Sequence, residues 1–209
     1  MSRGRPERTA ERREEIMNAC AKLYETMNFR DITLKEIGAE TSISRPSIYN
    51  YFESREEIFL ALFEREYGLW AEELRRLRVD AVPGNRRLLA EGVAGSLEKR
   101  MLLLKLLSVN LYDMEENSRL GRLVSFKKAY GSAREELSSL FQAYFPKLDE
   151  KEVRSLLYTF LQLMHGIYPY AHATEKQIEA MEEAGIEHPA MTAGEITEAA
   201  LLRMLPVVC

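Results

Sequence analysis

Apolar residues recur along this chain at three- and four-residue spacing, and no stretch alternates with the two-residue period of a strand. The pattern predicts an all-α protein. Thr9 to about Met27 reads as a helix with one apolar stripe: Ile16, Ala19, Cys20, Leu23, Tyr24 and Met27. Asn28–Asp31 ends it. Thr33-x-x-Glu36 has the form of a capping box, and a short helix should follow with Leu34, Ile37 and Gly38 inward. Thr41-Ser42-Ile43 breaks that helix, because polar and β-branched residues are poor helix interiors. Ser44 can cap a second short helix, with Pro46 in its first turn, where a missing N–H is no loss. Ser54-x-x-Glu57 is another box and opens a long helix. Three helix starts with a tight turn between two of them fit a helix–turn–helix, although two amphipathic helices packed by chance would look similar locally. Phe29, Ile32, Leu34, Ile37, Ile43, Ile48 and Phe52 should form the small core of this head.

The rest of the chain predicts a larger helical body. Ser54 to about Val79, with Ile58, Ala61, Leu62, Leu69, Trp70 and Leu77 as its buried side, would span about 37 Å at 1.5 Å per residue, too long for the head alone. Pro83-Gly84-Asn85 is a break. Two helices follow, Asn85–Lys99 and Arg100–Met114, the second apolar all round and therefore central. Asn117–Phe145 is the next, ended by Pro146. Asp149-x-x-Glu152 opens a helix that Pro169 kinks or ends. Thr174-x-x-Gln177 caps a short helix that stops at Gly185, and Thr192-x-x-Glu195 caps the last one.

Composition adds bounds. With 209 residues, 46% apolar and 30% charged, the chain can build a core without staples. No apolar run reaches membrane-spanning length, so no membrane partner is expected. The first fifteen residues hold no apolar signal region. Cys20 and Cys209 lack metal or redox spacing; Cys20 reads as a core residue and Cys209 as an exposed thiol. A cytoplasmic protein fits. Net charge is −4, yet residues 1–13 carry five arginines against two glutamates, a net +3, which leaves −7 elsewhere. A basic arm on an acidic body suits a protein that touches a polyanion with one end. The expected division is a flexible arm over 1–8, a head over 9–53 and a body over 54–209. Arg3-Gly4-Arg5-Pro6 reads either as a minor-groove arm or as a solvated basic tail.

The stretch Thr33-x-x-x-Ile37, Ile43-Ser44, Ile48-Tyr49-x-Tyr51-Phe52 and Ser54-Arg55-Glu56-Glu57 resembles the DNA-binding domain of the tetracycline-repressor-like (TetR) family of bacterial regulators. That family often has Gly where Ser42 sits; a left-handed backbone there would cost a non-glycine residue about 1–2 kcal/mol, so a reshaped turn is expected. The resemblance implies that Arg45–Asn50 enters the major groove. Arg45 is then the best base reader, because its fork can bond guanine O6 and N7 together, and Asn50 is a second candidate. Thr33, Ser44, Ser47, Tyr49, Tyr51 and Arg55 suit phosphate or groove contacts, with Arg3 and Arg5 in the minor groove. Packing is the other reading for Tyr49 and Tyr51.

The resemblance also implies a small-molecule pocket in the C-terminal helices. Trp70, Leu106, Asn110, Tyr112, Met114, Phe126, Tyr130, Tyr158, Gln162, His165, Tyr168 and Tyr170 are the candidates, and ordinary core or interface is the other reading for each. Apolar lining favours a hydrophobic effector. A homodimer is expected through the last two long helices, with Val153, Leu156, Phe160, Met164, Ile196, Ala199 and Ala200 at the seam of a four-helix bundle. No nucleophile elbow, HExxH, CxxC or phosphate-cradling glycine loop is present, so neither an enzyme nor a cofactor is expected. His165 and His172 lie two turns apart, but no carboxylate or cysteine cluster supports a metal. The reading is a ligand-responsive repressor on a near-palindromic operator. A helical adaptor and a DNA-bound factor without small-molecule input are the alternatives; salt-dependent binding to duplex DNA separates the first and an internal cavity the second.

Overall fold

The computed structural model describes residues 5–109 and 111–207. Among them are eleven α-helices and no strand: α1 Arg5–Thr26, α2 Leu34–Ala39, α3 Arg45–Ile48, α4 Arg55–Val79, α5 Arg86–Glu98, α6 Met101–Leu107, α7 Leu111–Glu116, α8 Leu120–Tyr144, α9 Glu150–Ala171, α10 Glu175–Glu183 and α11 Ala193–Met204. The all-α expectation holds. No helix of the described residues is long and apolar enough to cross a membrane.

Two compact units divide the chain. The first comprises residues 1–66 and 109–130, so it takes in the start of α4, all of α7 and the start of α8. Its core is largely the predicted one: Ile16, Cys20, Tyr24, Phe29, Ile32, Ile37, Ile43, Ile48 and Phe52 are buried, whereas Leu23, Met27 and Leu34 of the expected sets are half-exposed. Phe59, missed by the sequence pattern, meets the Tyr24 and Phe29 rings edge-on at 5.2 and 4.7 Å. Phe63 packs on Phe126 at 5.3 Å. Each such ring stabilises the unit by roughly 1.5–3 kcal/mol through burial.

The second unit comprises residues 67–108 and 131–209. Here α11 packs against α5 and α9, and α6 against α9. Trp70 is fully buried and donates its indole N–H to Ser96 Oγ at 3.0 Å. Gly194 leaves room for the Glu98 carboxylate at the first turn of α11, where free helix N–H groups favour negative charge.

Capping chemistry sets the ends. Asp149–Glu152, Thr174–Gln177 and Thr192–Glu195 are complete capping boxes, and Asn85 caps α5. Two expected boxes differ in detail. Glu36 bonds the Thr33 hydroxyl itself, and the Glu57 carboxylate takes the N–H of Glu53, one residue before Ser54. Further expectations are corrected. Arg5–Arg8 extend α1, because Pro6 sits where its absent N–H costs nothing and no breaker follows before Thr9. The single helix expected over 100–114 is two, since Ser108 bonds back to the Lys105 carbonyl and ends α6. The helix expected from Asn117 starts at Leu120, because Asn117 and Ser118 bond carbonyls of Asp113 and Met114 and close α7 instead. Leu69, expected inside, is 36% exposed. Pro169 does not end α9, which runs one short stretch further to Ala171.

Candidate nucleic-acid interface

The α2–turn–α3 segment folds against α1 through its apolar residues and leaves its polar ones outside. Ile37 and Ile48 anchor the two short helices, and the backbone of Arg45 passes 3.6 Å from where a Cβ on Gly38 would stand. The turn holds no positive-φ residue. It is built from side chains instead. Thr41 Oγ1 lies 3.1 Å from both the Gly38 and the Ile43 carbonyl, which share its one O–H proton, and accepts from Ile43 N–H. Ser42 N–H donates to Glu15 Oε1 at 2.6 Å, and Arg12 reaches both Ser42 Oγ and Glu15. The reshaped turn expected without glycine is thus held from α1. Sequence spacing gave no sign of Glu15, which lies 27 residues away from its partner.

On the outward side stand Thr33, Ser44, Arg45, Tyr49 and Asn50, all exposed, with Ser47 and Tyr51 half-buried. The Arg45 guanidinium has no partner among the described residues. Tyr49 is 50% exposed. Ser44 makes no side-chain cap; its hydroxyl pairs with Ser47 Oγ at 2.9 Å. Helix α3 ends at Ile48, two residues sooner than expected, and Asn50 sits in the turn that follows. Arg55 differs from the rest: Nη1 donates to the carbonyls of Phe29, Arg30 and Ile32, and the guanidinium lies 4.6 Å from the Phe29 ring centroid. Its Nε and Nη1 donors are used inside the head. Arg3 lies outside the described residues, as do Asn110 and Cys209, and only the backbone of Arg5 is described.

The ligand candidates are divided between the two units. Phe126 and Tyr130 belong to the first unit; Trp70, Leu106, Tyr158, Gln162, His165 and Tyr168 belong to the second. His165 Nδ1 sits 2.9 Å from the Leu107 carbonyl, and Tyr168 stacks on His172. Burial pushes the Tyr168 phenol up from its usual range. Of the described candidates only Tyr170 lines the cleft of about 450 Å³ between the end of α9, α10 and the start of α11, whose walls also include Met101, Ile178, Met191, His172 and His188. Val153, Leu156, Phe160 and Met164 are buried within the single chain, whereas Ile196, Ala199 and Ala200 are half-exposed. Among the described residues no group of three or more His, Cys, Asp or Glu could hold a metal.

Residues 16–62 match the family model for bacterial regulatory proteins of the tetR family, and residues 64–205 match that for a tetracyclin repressor-like C-terminal domain. Solved structures are similar over nearly the whole chain. The fatty acid degradation regulator FadR of Bacillus halodurans is 12% identical with a TM-score of 0.62, covering 98% of this chain and 97% of its own. FadR of Bacillus subtilis, solved in complex with stearoyl-CoA, is 13% identical at 0.61, covering 94% and 99%. PfmR of Thermus thermophilus is 15% identical at 0.59, covering 91% and 96%. No curated protein matches.

Proposed function

The chain belongs to the TetR family of DNA-binding transcription regulators, and from that premise we propose that it is a ligand-responsive repressor that binds a near-palindromic operator as a homodimer. The observation that carries this reading is the outward face of the head: an exposed, unpaired Arg45 at the start of a helix anchored by Ile48. Arg45 reads a guanine. Thr33, Ser44, Ser47, Tyr49, Asn50 and Tyr51 flank it as phosphate or further base contacts, and Arg3 and Arg5 serve the minor groove. Arg55, with Nε and Nη1 taken up by Glu56 and three carbonyls, positions the head rather than touching phosphate. The dimer seam is proposed on α9 and α11, using the outward positions Thr159, Gln162, Ala199 and Ala200, because the inward stripe already fills the chain's own core. The effector is a small hydrophobic molecule held in the second unit; the cleft beside α10 falls in the size range of small-molecule sites. Acyl chains and acyl-CoA thioesters are the first compounds to try, since one fold neighbour holds stearoyl-CoA. No catalytic role is proposed, and a cytoplasmic location accords with contact to chromosomal DNA.

The test is titration of the purified protein with a duplex it selects from a random pool, across a range of salt. A two-fold-symmetric site and a steep fall in affinity with salt are expected, since each phosphate contact releases a counterion. Salt-independent or sequence-blind binding would overturn the reading.

A further inference from the structure

Glu57 is 0% exposed, yet it is a carboxylate at the beginning of α4. Its two oxygens receive four hydrogen bonds. Arg119 Nε donates to Oε1 and Arg119 Nη2 to Oε2, both at 2.6 Å, a two-pronged pair. The backbone N–H of Arg119 donates to Oε1 at 3.2 Å and that of Glu53 to Oε2 at 3.0 Å. Burial alone would raise this carboxyl; the Arg119 and backbone hydrogen bonds outweigh it and hold it below the usual range. The same Arg119 pairs with Glu53 at 2.8 Å. Ser54 Oγ donates to the Asn117 carbonyl at 2.9 Å. Arg122, one turn on, lies over the ring of Phe52 at 5.5 Å, and Arg13 of α1 lies over that ring at 4.7 Å. Phe52, Glu53, Ser54 and Glu57 are the junction between α3 and α4. Residues 117–122 therefore grip that junction at four points, all within one compact unit.

We propose that Arg119 and Glu57 are positioning residues for DNA binding, a latch that fixes the α3–α4 junction and with it the angle at which α3 meets the groove. The N-terminal family model ends its match at residue 62, whereas the compact unit that holds the head extends to a segment that starts some fifty residues later in the chain. A base contact needs its donors aligned within a narrow cone, so a loosened junction weakens operator binding although Arg119 touches no DNA.

The decisive protein is the full chain carrying E57M and R119M together. Glu57 is fully buried and Arg119 half-exposed, so the double variant removes the buried charge together with its partner, whereas R119M alone leaves the Glu57 carboxylate uncompensated. The double variant should keep its helical circular dichroism and a cooperative melt, with a melting temperature lowered only by the two backbone N–H groups that lose the Glu57 acceptor. It should bind the duplex selected from a random pool on the order of tenfold more weakly, with an unchanged salt slope. Wild-type affinity in that folded double variant would overturn the proposal. E57Q supplies a second, gentler reading. It preserves shape and should weaken binding as well, because the two-pronged pair is lost. If E57Q binds as the wild type while R119M lowers the salt slope by about one phosphate, Arg119 is a DNA contact and the latch is refuted.

Discussion

Two regions of this chain are built from short helices, and they are held in opposite ways. The α2–turn–α3 segment has modest caps: Thr33 bonds only one backbone N–H and Ser44 none. Yet Ile37, Ile43, Ile48 and Phe52 are all buried. Helix α10 is the reverse. It opens with a full capping box and closes with a left-handed Gly185, whose N–H bonds the Glu182 carbonyl while Ile186 N–H bonds that of Met181. None of its residues is buried. Caps decide where a helix starts and stops, each for about 1 kcal/mol, but burial decides whether it resists opening. A rigid α3 suits a reader of fixed base edges, and a locally held α10 beside a cleft suits a segment that opens at low cost.

The largest test of that contrast is one truncation in each region. Ile48→Ala should lower the unfolding free energy by about 2–5 kcal/mol and abolish DNA binding, because it empties a fully buried site. Ile178→Ala in α10, half-exposed, should cost about 0.5 kcal/mol or less. Denaturant unfolding of both variants checks this; similar losses would erase the distinction.

Next in size is Arg45→Ala. It should leave stability alone, since the side chain is exposed and unpaired, and weaken operator binding by about 1–3 kcal/mol with one base position relaxed. Equal weakening on operator and on random duplex would make Arg45 a phosphate contact.

What the sequence made legible follows the same divide. Local signals were readable: Asp149, Thr174 and Thr192 each announce a box three residues ahead, and each is present. The buried set of the head was readable from spacing. Pairings across long stretches of chain were not. Glu57 reads as the far half of a capping box opened by Ser54 until Arg119, 62 residues away, is brought to it. Val153, Leu156, Phe160 and Met164 form a true apolar stripe, but a stripe does not say whether it faces the chain's own core or a partner. Arg55 matched a motif position, and only the fold reveals three carbonyls waiting for its donors.

A smaller effect is expected at Gly185. Its φ of +67° is a conformation in which a side chain costs about 1–2 kcal/mol. Gly185→Ala should fray α10, seen as faster amide exchange over Glu175–Glu183, with the global unfolding midpoint nearly unchanged because nothing there is buried. A global loss of similar size would mean that α10 unfolds with the rest.

The smallest effect should come from acid acting on the turn between α2 and α3. Glu15 accepts the Ser42 N–H and a hydrogen bond from Arg12, and these bonds, Ser42 first, hold its carboxyl below the usual range. A carboxyl whose folded value is lowered adds stability at pH above its unfolded value. That contribution is lost as pH falls through the folded value, when the proton removes the acceptor. Glu15 is partly exposed, so solvent screens the gain and the effect is modest. Neutral pH should therefore show a slightly more protected Ser42 amide than acid conditions do. Glu15→Gln should remove most of that difference, because a neutral amide still accepts the Ser42 N–H but no longer titrates. The measurement is exchange at the Ser42 amide between pH 7 and pH 3, corrected for the intrinsic rate, in both proteins. If the pH dependence persists in Glu15→Gln, the Glu15 carboxylate does not set the protection of Ser42, and α1 holds the turn through Arg12 and its apolar face instead.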